Sequence, residues 1–152
     1  MTTVANRIAV LHGVNFDVLE KRDASIYGGL SLSELERQIS DWAHGLKLEP
    51  IFFQTNAEGE FCEYLHRSAD GLADAVIVNA GAWTHYSRAI ADALELTGLP
   101  AVEVHLSDVE AREDWRKLSV FDGLVLAKVS GKGPDGYREA LERLAGELGA
   151  GG

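Results

Sequence analysis

Three stretches of this chain set residues able to move protons beside residues able to hold an anion. The richest, EVHLSDVEAREDWR, spans residues 103–116. In an extended strand Glu103, His105 and Ser107 share a face, because side chains alternate. A carboxylate beside a histidine in this way orients the ring and favours its protonated form, which suits a general acid. Arg112 and Arg116 stand four apart. On a helix they share a face and can point at one anion. A surface network of salt bridges accounts for the same residues equally well.

The second stretch, LHGVNFDVLEKRDASIYGG, spans residues 11–29 and holds Asn15, Arg22 and Tyr27. Tyrosine is a poor base at neutral pH, but an arginine close by favours the phenolate. The plainer reading packs Tyr27 against the Gly28-Gly29 turn and leaves Arg22 in solvent. The third, NAGAWTHYS over residues 79–87, offers Asn79 and His85. A lone histidine about one turn into a helix is more often structural than functional.

The elements that must position these residues alternate strand with helix. Apolar runs predict strands at 8–11, 50–53, 75–78, 101–105 and 124–129. Helical spacing of Leu32, Leu35, Ile39, Trp42 and Leu46 after a Ser31 or Ser33 cap predicts a helix there. Further helices are expected over 58–70, 83–97 and 135–148, with a short helical stretch over 109–117. Residues 12–29 read as a loop longer than an ordinary strand-to-helix connection, and such loops are often functional. Near-continuous apolar strands between helices imply a doubly wound α/β fold, a five-stranded parallel sheet covered on both faces in three layers. Ligands then bind beyond the carboxyl ends of the strands, where His12-Gly13-Val14-Asn15, Asn79, His105-Leu106-Ser107 and the Gly131/Gly133 loop lie.

At 152 residues the chain suits one domain, expected over 1–148 with a disordered tail at 149–152. A formal net charge of −10 argues against nucleic acid, and it means that an anionic substrate needs a local cationic pocket. The single cysteine, Cys62, excludes an intrachain disulfide and a cysteine metal cage, and its apolar setting predicts burial. No run reaches membrane-spanning length and the start lacks an apolar signal core, so the expected location is the cytoplasm. Gly131, Gly133 and Gly136 form no Walker loop, and Ser107 lacks a nucleophile elbow. Glu63 and His66 occur once where a dimetal site needs two copies. Lys128 follows a pattern that lacks the acidic residues of a phospho-receiver, and neither metal nor cofactor is expected.

In this order and spacing the motifs resemble the type II 3-dehydroquinate dehydratases, and the resemblance spans most of the chain, from Ile8 to about Leu144. It rests on His12-Gly13-Val14-Asn15, Arg22, Tyr27-Gly28, Gln54-Thr55-Asn56-Ala57-Glu58-Gly59 and Asn79 with Thr84-His85. It continues through Glu103-Val104-His105-Leu106-Ser107, Arg112-Glu113 with Arg116, and Gly131, Gly133, Gly136 and Tyr137. The chain departs from the family pattern at His12 (asparagine), Val14 (proline), Glu20 (glycine), Asp108 (asparagine) and Glu110 (histidine).

The resemblance implies a flavodoxin-like fold and a cofactor-free lyase that dehydrates 3-dehydroquinate to 3-dehydroshikimate, in aromatic biosynthesis or quinate breakdown. It implies Tyr27 as base, aided by Arg22 and Arg112, and His105 as acid, oriented by Glu103. Asn15 would hold a water against the enolate, and Ser107 with the Leu106 backbone would hold the substrate carboxylate. Asn79, His85 and Arg116 would bind hydroxyls. Asp92 matches a residue that reaches a neighbouring subunit's site, and the implied assembly is trimers grouped into a dodecamer. The alternatives are a relative acting on a modified quinate such as an aminodehydroquinate, and a binding protein without turnover.

Overall fold

In the computed structural model, which describes residues 4–149, the first strand, β1 (Arg7–His12), sends Ile8 and Val10 to one face. Ala9 and Leu11 go to the other. The remaining strands are β2 (Glu49–Gln54), β3 (Ala75–Asn79), β4 (Ala101–Val104) and β5 (Ala127–Val129). All pairings are parallel and the order is β2-β1-β3-β4-β5, the flavodoxin-like doubly wound arrangement. The helices are α1 (Ala24–Tyr27), α2 (Leu32–Gly45), α3 (Glu58–Arg67), α4 (Arg88–Thr97) and α5 (Asp135–Leu148).

Helices α2 and α5 cover the face of Ile8, Val10, Ile77 and Val102, burying Leu35, Ile39, Leu141 and Leu144 there. Phe61 and Leu65 of α3 and Ile90 and Leu94 of α4 cover the opposite face over Ala9, Leu11, Val76 and Val78. Each fully buried Leu or Ile contributes about 1.5–3 kcal/mol, so these two layers hold the sheet edge on which the site is built. Helix α2 begins in a capping box: Glu34 N–H donates to Ser31 Oγ, and Ser31 N–H donates to the Glu34 carboxylate.

The three-layer frame is the expected one, with local corrections. Helix α3 stops at Arg67, because Asp70 and Gly71 (φ 96°) turn the chain back towards β3. The helix expected over 83–97 is a 3-10 turn, Gly81–His85, followed by α4. Tyr86 breaks the run at φ −153°, and Ser87 Oγ caps α4 by accepting from Ile90 N–H. His85 therefore stands in the turn before the helix. Strand β5 is shorter than expected, since residues 121–124 form a turn closed by Leu124 N–H to Phe121 O. Cys62 is half-buried. Gly149 caps α5 at φ 72°; the rest of the expected tail, 150–152, lies outside the described residues.

At the carboxyl edge the ends of β1 and β3 are locked together. Gly13 N–H donates to Asn79 O at 2.9 Å, and a Cβ at Gly13 would sit 2.3 Å from Ala80 O. Only glycine fits this approach.

Candidate active site

Three loops leave that edge and enclose a cavity of about 240 Å³. From the β1 loop come Val14, Asn15, Phe16, Arg22 and Tyr27; from the end of β3, Asn79 and His85; from the end of β4, His105, Leu106, Ser107 and Arg116. The lining contains two arginines and no carboxylate, in a protein of net charge −10. The wall thus carries cationic side chains, an arrangement that suits an anionic ligand.

The β1 loop is more ordered than its length suggested. It folds into a 3-10 turn, Phe16–Lys21, and then the single turn α1. Asp23 caps α1 by accepting from Ser25 N–H, and Gly28 closes it at φ 89°, so Tyr27 is fixed as its last residue. Arg22 Nη2 donates to Tyr27 Oη at 2.5 Å while its Cζ lies 4.2 Å from the ring centroid. Arg112 Nη1 donates to the same oxygen at 2.6 Å. Two guanidinium groups thus converge on one phenol oxygen, both donating to it. Tyr27 meets both of them through its oxygen, besides lying beside the Gly28-Gly29 turn.

Asn15 adopts a left-handed conformation, φ 73°, which asparagine tolerates better than most residues. Asn56 fixes it there, accepting from Asn15 N–H at 2.7 Å and donating to Asp17 Oδ2 at 3.1 Å. Gln54 Nε2 donates to Gly13 O and to Asn56 Oδ1, both at 3.2 Å. Gln54 and Asn56 thus anchor the start of the loop, a function their spacing in the sequence does not reveal.

His105 is the first residue beyond β4, held in line by its N–H bond to Val129 O at 2.9 Å. Its Nε2 meets Glu103 Oε2 at 2.5 Å, with both side chains buried. Glu103 is in turn bound by Ser119 Oγ, 2.9 and 3.0 Å from its two oxygens. Phe121 N–H donates to the same hydroxyl at 3.1 Å. Because Glu103 occupies Nε2, Nδ1 is the nitrogen left for the cavity. Ser119, sixteen positions from its partner, carries no sequence signal.

His85 Nδ1–H donates to Leu118 O at 2.7 Å, which leaves Nε2 as an acceptor. Burial is the main cause holding its imidazole below the ordinary histidine value, partly opposed by the Leu118 bond. Its ring packs edge-on against Trp115, 5.3 Å between centroids.

Arg112 and Arg116 do not share a helical face. Residues 109–117 form two 3-10 turns, Val109–Ala111 and Asp114–Lys117, separated by Arg112 and Glu113 in extended conformation. Short 3-10 turns seldom continue. Arg112 faces Tyr27 and a wider depression of about 590 Å³ beyond it, 3.5 Å from Ser107 Oγ. Arg116 lines the main cavity and is bonded through Nε to Glu113. The glycine loop shapes backbone: Gly131 N–H donates to Ser107 O at 3.0 Å and Gly133 N–H to Leu106 O at 3.2 Å. Among the described residues the Leu106 and Ser107 N–H groups donate to no backbone carbonyl. Asp92 lies on the exposed side of α4, away from this cavity. No helix of the described residues is long and apolar enough to cross a membrane.

The sequence model of the family described as Dehydroquinase class II matches residues 6–145. A 3-dehydroquinate dehydratase of Syntrophotalea carbinolica is 46% identical over 135 residues, covering 89% of this chain and 91% of that one. One from Pelobacter propionicus is 43% identical over 145 residues, covering 95% and 97%. The crystal structure of type II dehydroquinase from Propionibacterium acnes superposes with a TM-score of 0.88 at 35% identity, covering 95% of this chain and 99% of that one.

Proposed function

The chain belongs to the class II dehydroquinase family, and from that premise we propose that its cavity dehydrates 3-dehydroquinate to 3-dehydroshikimate. The observation that carries the mechanism is the Tyr27 oxygen held by two guanidinium groups, in the same cavity as a histidine backed by a buried carboxylate.

As phenolate, Tyr27 takes a proton from the carbon beside the ketone, and the electron pair moves onto the ketone oxygen as an enolate. Arg22 and Arg112 hold the phenolate before transfer. Asn15 holds a water against the enolate oxygen, where charge develops. The enolate then collapses, the bond to the departing hydroxyl breaks on the opposite face, and Nδ1 of protonated His105 supplies its proton. The products are water and a conjugated enone, with the proton gained by Tyr27 and that lost by His105 re-equilibrating through solvent. The steps use only protein groups and water.

Ser107 and the Leu106 and Ser107 N–H groups hold the substrate carboxylate. Asn79, His85 and Arg116 bind hydroxyls, and neutral His85 accepts through Nε2. The lining offers an ammonium no aspartate or glutamate partner, which favours 3-dehydroquinate over an aminated quinate. The site stands in one domain over 1–148. Trimers grouped into a dodecamer, with Asp92 reaching a neighbouring site, and a cytoplasmic location complete the proposal; sedimentation tests the assembly.

The purified protein with 3-dehydroquinate is expected to give a rise in enone absorbance. Tyr27→Phe and His105→Ala are each expected to lose about 100- to 10,000-fold in kcat with unchanged circular dichroism. Near-normal turnover in either variant sinks the assignment, and tight substrate binding without turnover in the wild type favours the binding-protein reading.

A further inference from the structure

Behind the cavity wall lies a buried polar trio to which the mechanism above gives no task beyond Asn79. His12 Nε2 and Tyr137 Oη are 2.8 Å apart, and both side chains are fully buried. Asn79 Nδ2 donates to the same Tyr137 oxygen at 3.0 Å. Asn79 lines the cavity, while Gly81 N–H lies 3.4 Å from its Oδ1.

A proton count sets the direction of these bonds. Nδ2 of an amide can only donate, so Asn79 occupies an acceptor position of the phenol oxygen, and that phenol has one hydrogen to give. If the hydrogen goes to His12 Nε2, the ring proton sits on Nδ1, and Nδ1 is the one unmatched atom of the trio. If His12 Nε2 donates instead, the phenol hydrogen and the Nδ1 lone pair are both unmatched where no solvent reaches. Unmatched buried groups are destabilising, so with the Asn79 oxygen turned towards the Gly81 N–H the first arrangement prevails. It requires a neutral ring, and burial does hold His12 far below the ordinary histidine value.

We infer that His12 is a positioning residue for substrate binding. By taking the only proton of Tyr137, it makes that oxygen an obligate acceptor for Asn79. This turns the Asn79 amide so that one Nδ2 hydrogen and one Oδ1 lone pair remain for a substrate hydroxyl. A chain lacking an acceptor at position 12 would let the Tyr137 hydrogen seek Asn79 Oδ1, and the amide would turn over. The inference rests on the proposal that Asn79 binds substrate.

The test joins a spectrum to kinetics. Long-range proton–nitrogen spectra of the wild-type histidine rings, assigned with His12→Gln, are expected to show a bare Nε2 and a protonated Nδ1 at position 12. His12→Phe should raise KM for 3-dehydroquinate about three- to tenfold with kcat near wild type, the signature of lost uniform binding. His12→Gln, whose carbonyl can accept from Tyr137, should recover most of that loss. Tyr137→Phe should raise KM similarly, and His12→Phe added to it should change KM little further.

A proton on Nε2 overturns the inference, as does an unchanged KM in a folded His12→Phe protein. Should His12→Phe not fold, the wild-type ring spectrum decides the matter alone. A wild-type protein with no turnover would sink the dehydratase reading instead, and the ring spectrum separates the two failures.

Discussion

Acid should unfold this protein partly through a single ring. His12 is fully buried, and desolvation lowers its value from 6.5 to about 3. A group depressed in the folded state binds fewer protons there than in the unfolded chain. Its contribution is therefore fully present above the unfolded value of 6.5 and is lost as pH falls from there towards 3. At about pH 4.5 the unfolded chain carries the proton and the folded chain does not, a gap of about two pH units or about 3 kcal/mol. Below the folded value the loss levels off at about 5 kcal/mol.

The perturbation is His12→Gln, which cannot titrate. Its hydrogen-bond and packing cost is independent of pH, so it should be less stable than the wild type near neutrality. That deficit should shrink by about 3 kcal/mol by about pH 4.5. Urea unfolding of both proteins at the two pH values measures this directly. Titration of every other group, Asp74 and His85 included, enters both proteins alike and cancels in the difference. Parallel stability curves across this window would refute the claim that His12 stays neutral in the folded protein.

Three further outcomes follow from the geometry. Ser119→Ala strips the hydroxyl from buried Glu103; urea unfolding should register a loss of about 1–3 kcal/mol, and kcat should fall while KM holds, because the His105 carboxylate is loosened. Arg112→Lys keeps the charge but loses the planar fork directed at Tyr27, and should lower kcat about tenfold or more in the enone assay. Gly13→Ala drives a methyl group to 2.3 Å from Ala80 O and should destabilise by about 3 kcal/mol or more, read by the same unfolding experiment.

The frame could be read because its signals are local and periodic. The Ser31/Glu34 box and the spacing of Leu35 and Ile39 sit within one helix, and α5 runs over the expected residues 135–148. The face shared by Glu103 and His105 follows from strand alternation, and their 2.5 Å contact is its direct result. Features that depend on distant chain could not be read in this way. Ser119 reaches Glu103 only after the turns at 109–117 fold back, and Asn56 grips Asn15 across forty-one positions. The shared face of Arg112 and Arg116 failed because spacing presumes a continuous helix. Asp108 caps Glu110 N–H in a three-residue turn that ends at once, so Arg112 is freed to meet Tyr27.

The residues that depart from the family pattern bear on substrate charge, and their positions decide how. His12 is buried among Phe16 and Tyr137 as a neutral ring, so it adds no charge to the cavity. Val14 lines the cavity as an apolar group, while Glu20 is exposed. Asp108 and Glu110 would oppose an anion if they faced it. Instead Asp108 accepts from Glu110 N–H at 3.2 Å, and Glu110 lies 3.9 Å from the Lys128 ammonium. Lys128 is also 3.8 Å from Asp122, so this ion group closes on itself. Glu110 lines neither cavity, and Asp108 lines only the wider depression, beside Leu106, Ser107 and Arg112. Coulomb interaction between exposed charges is weak across water at such separations, whereas Arg22 and Arg116 act at the cavity wall. The proposed preference for an anion therefore rests on Arg22 and Arg116 in the main cavity and on Arg112, which shares the wider depression with Asp108. Reversing that preference would take a carboxylate inside the lining, and Val14→Asp is the direct trial: it should raise KM for 3-dehydroquinate about tenfold or more through like-charge repulsion, while an unchanged KM would mean that the carboxylate of the substrate binds elsewhere.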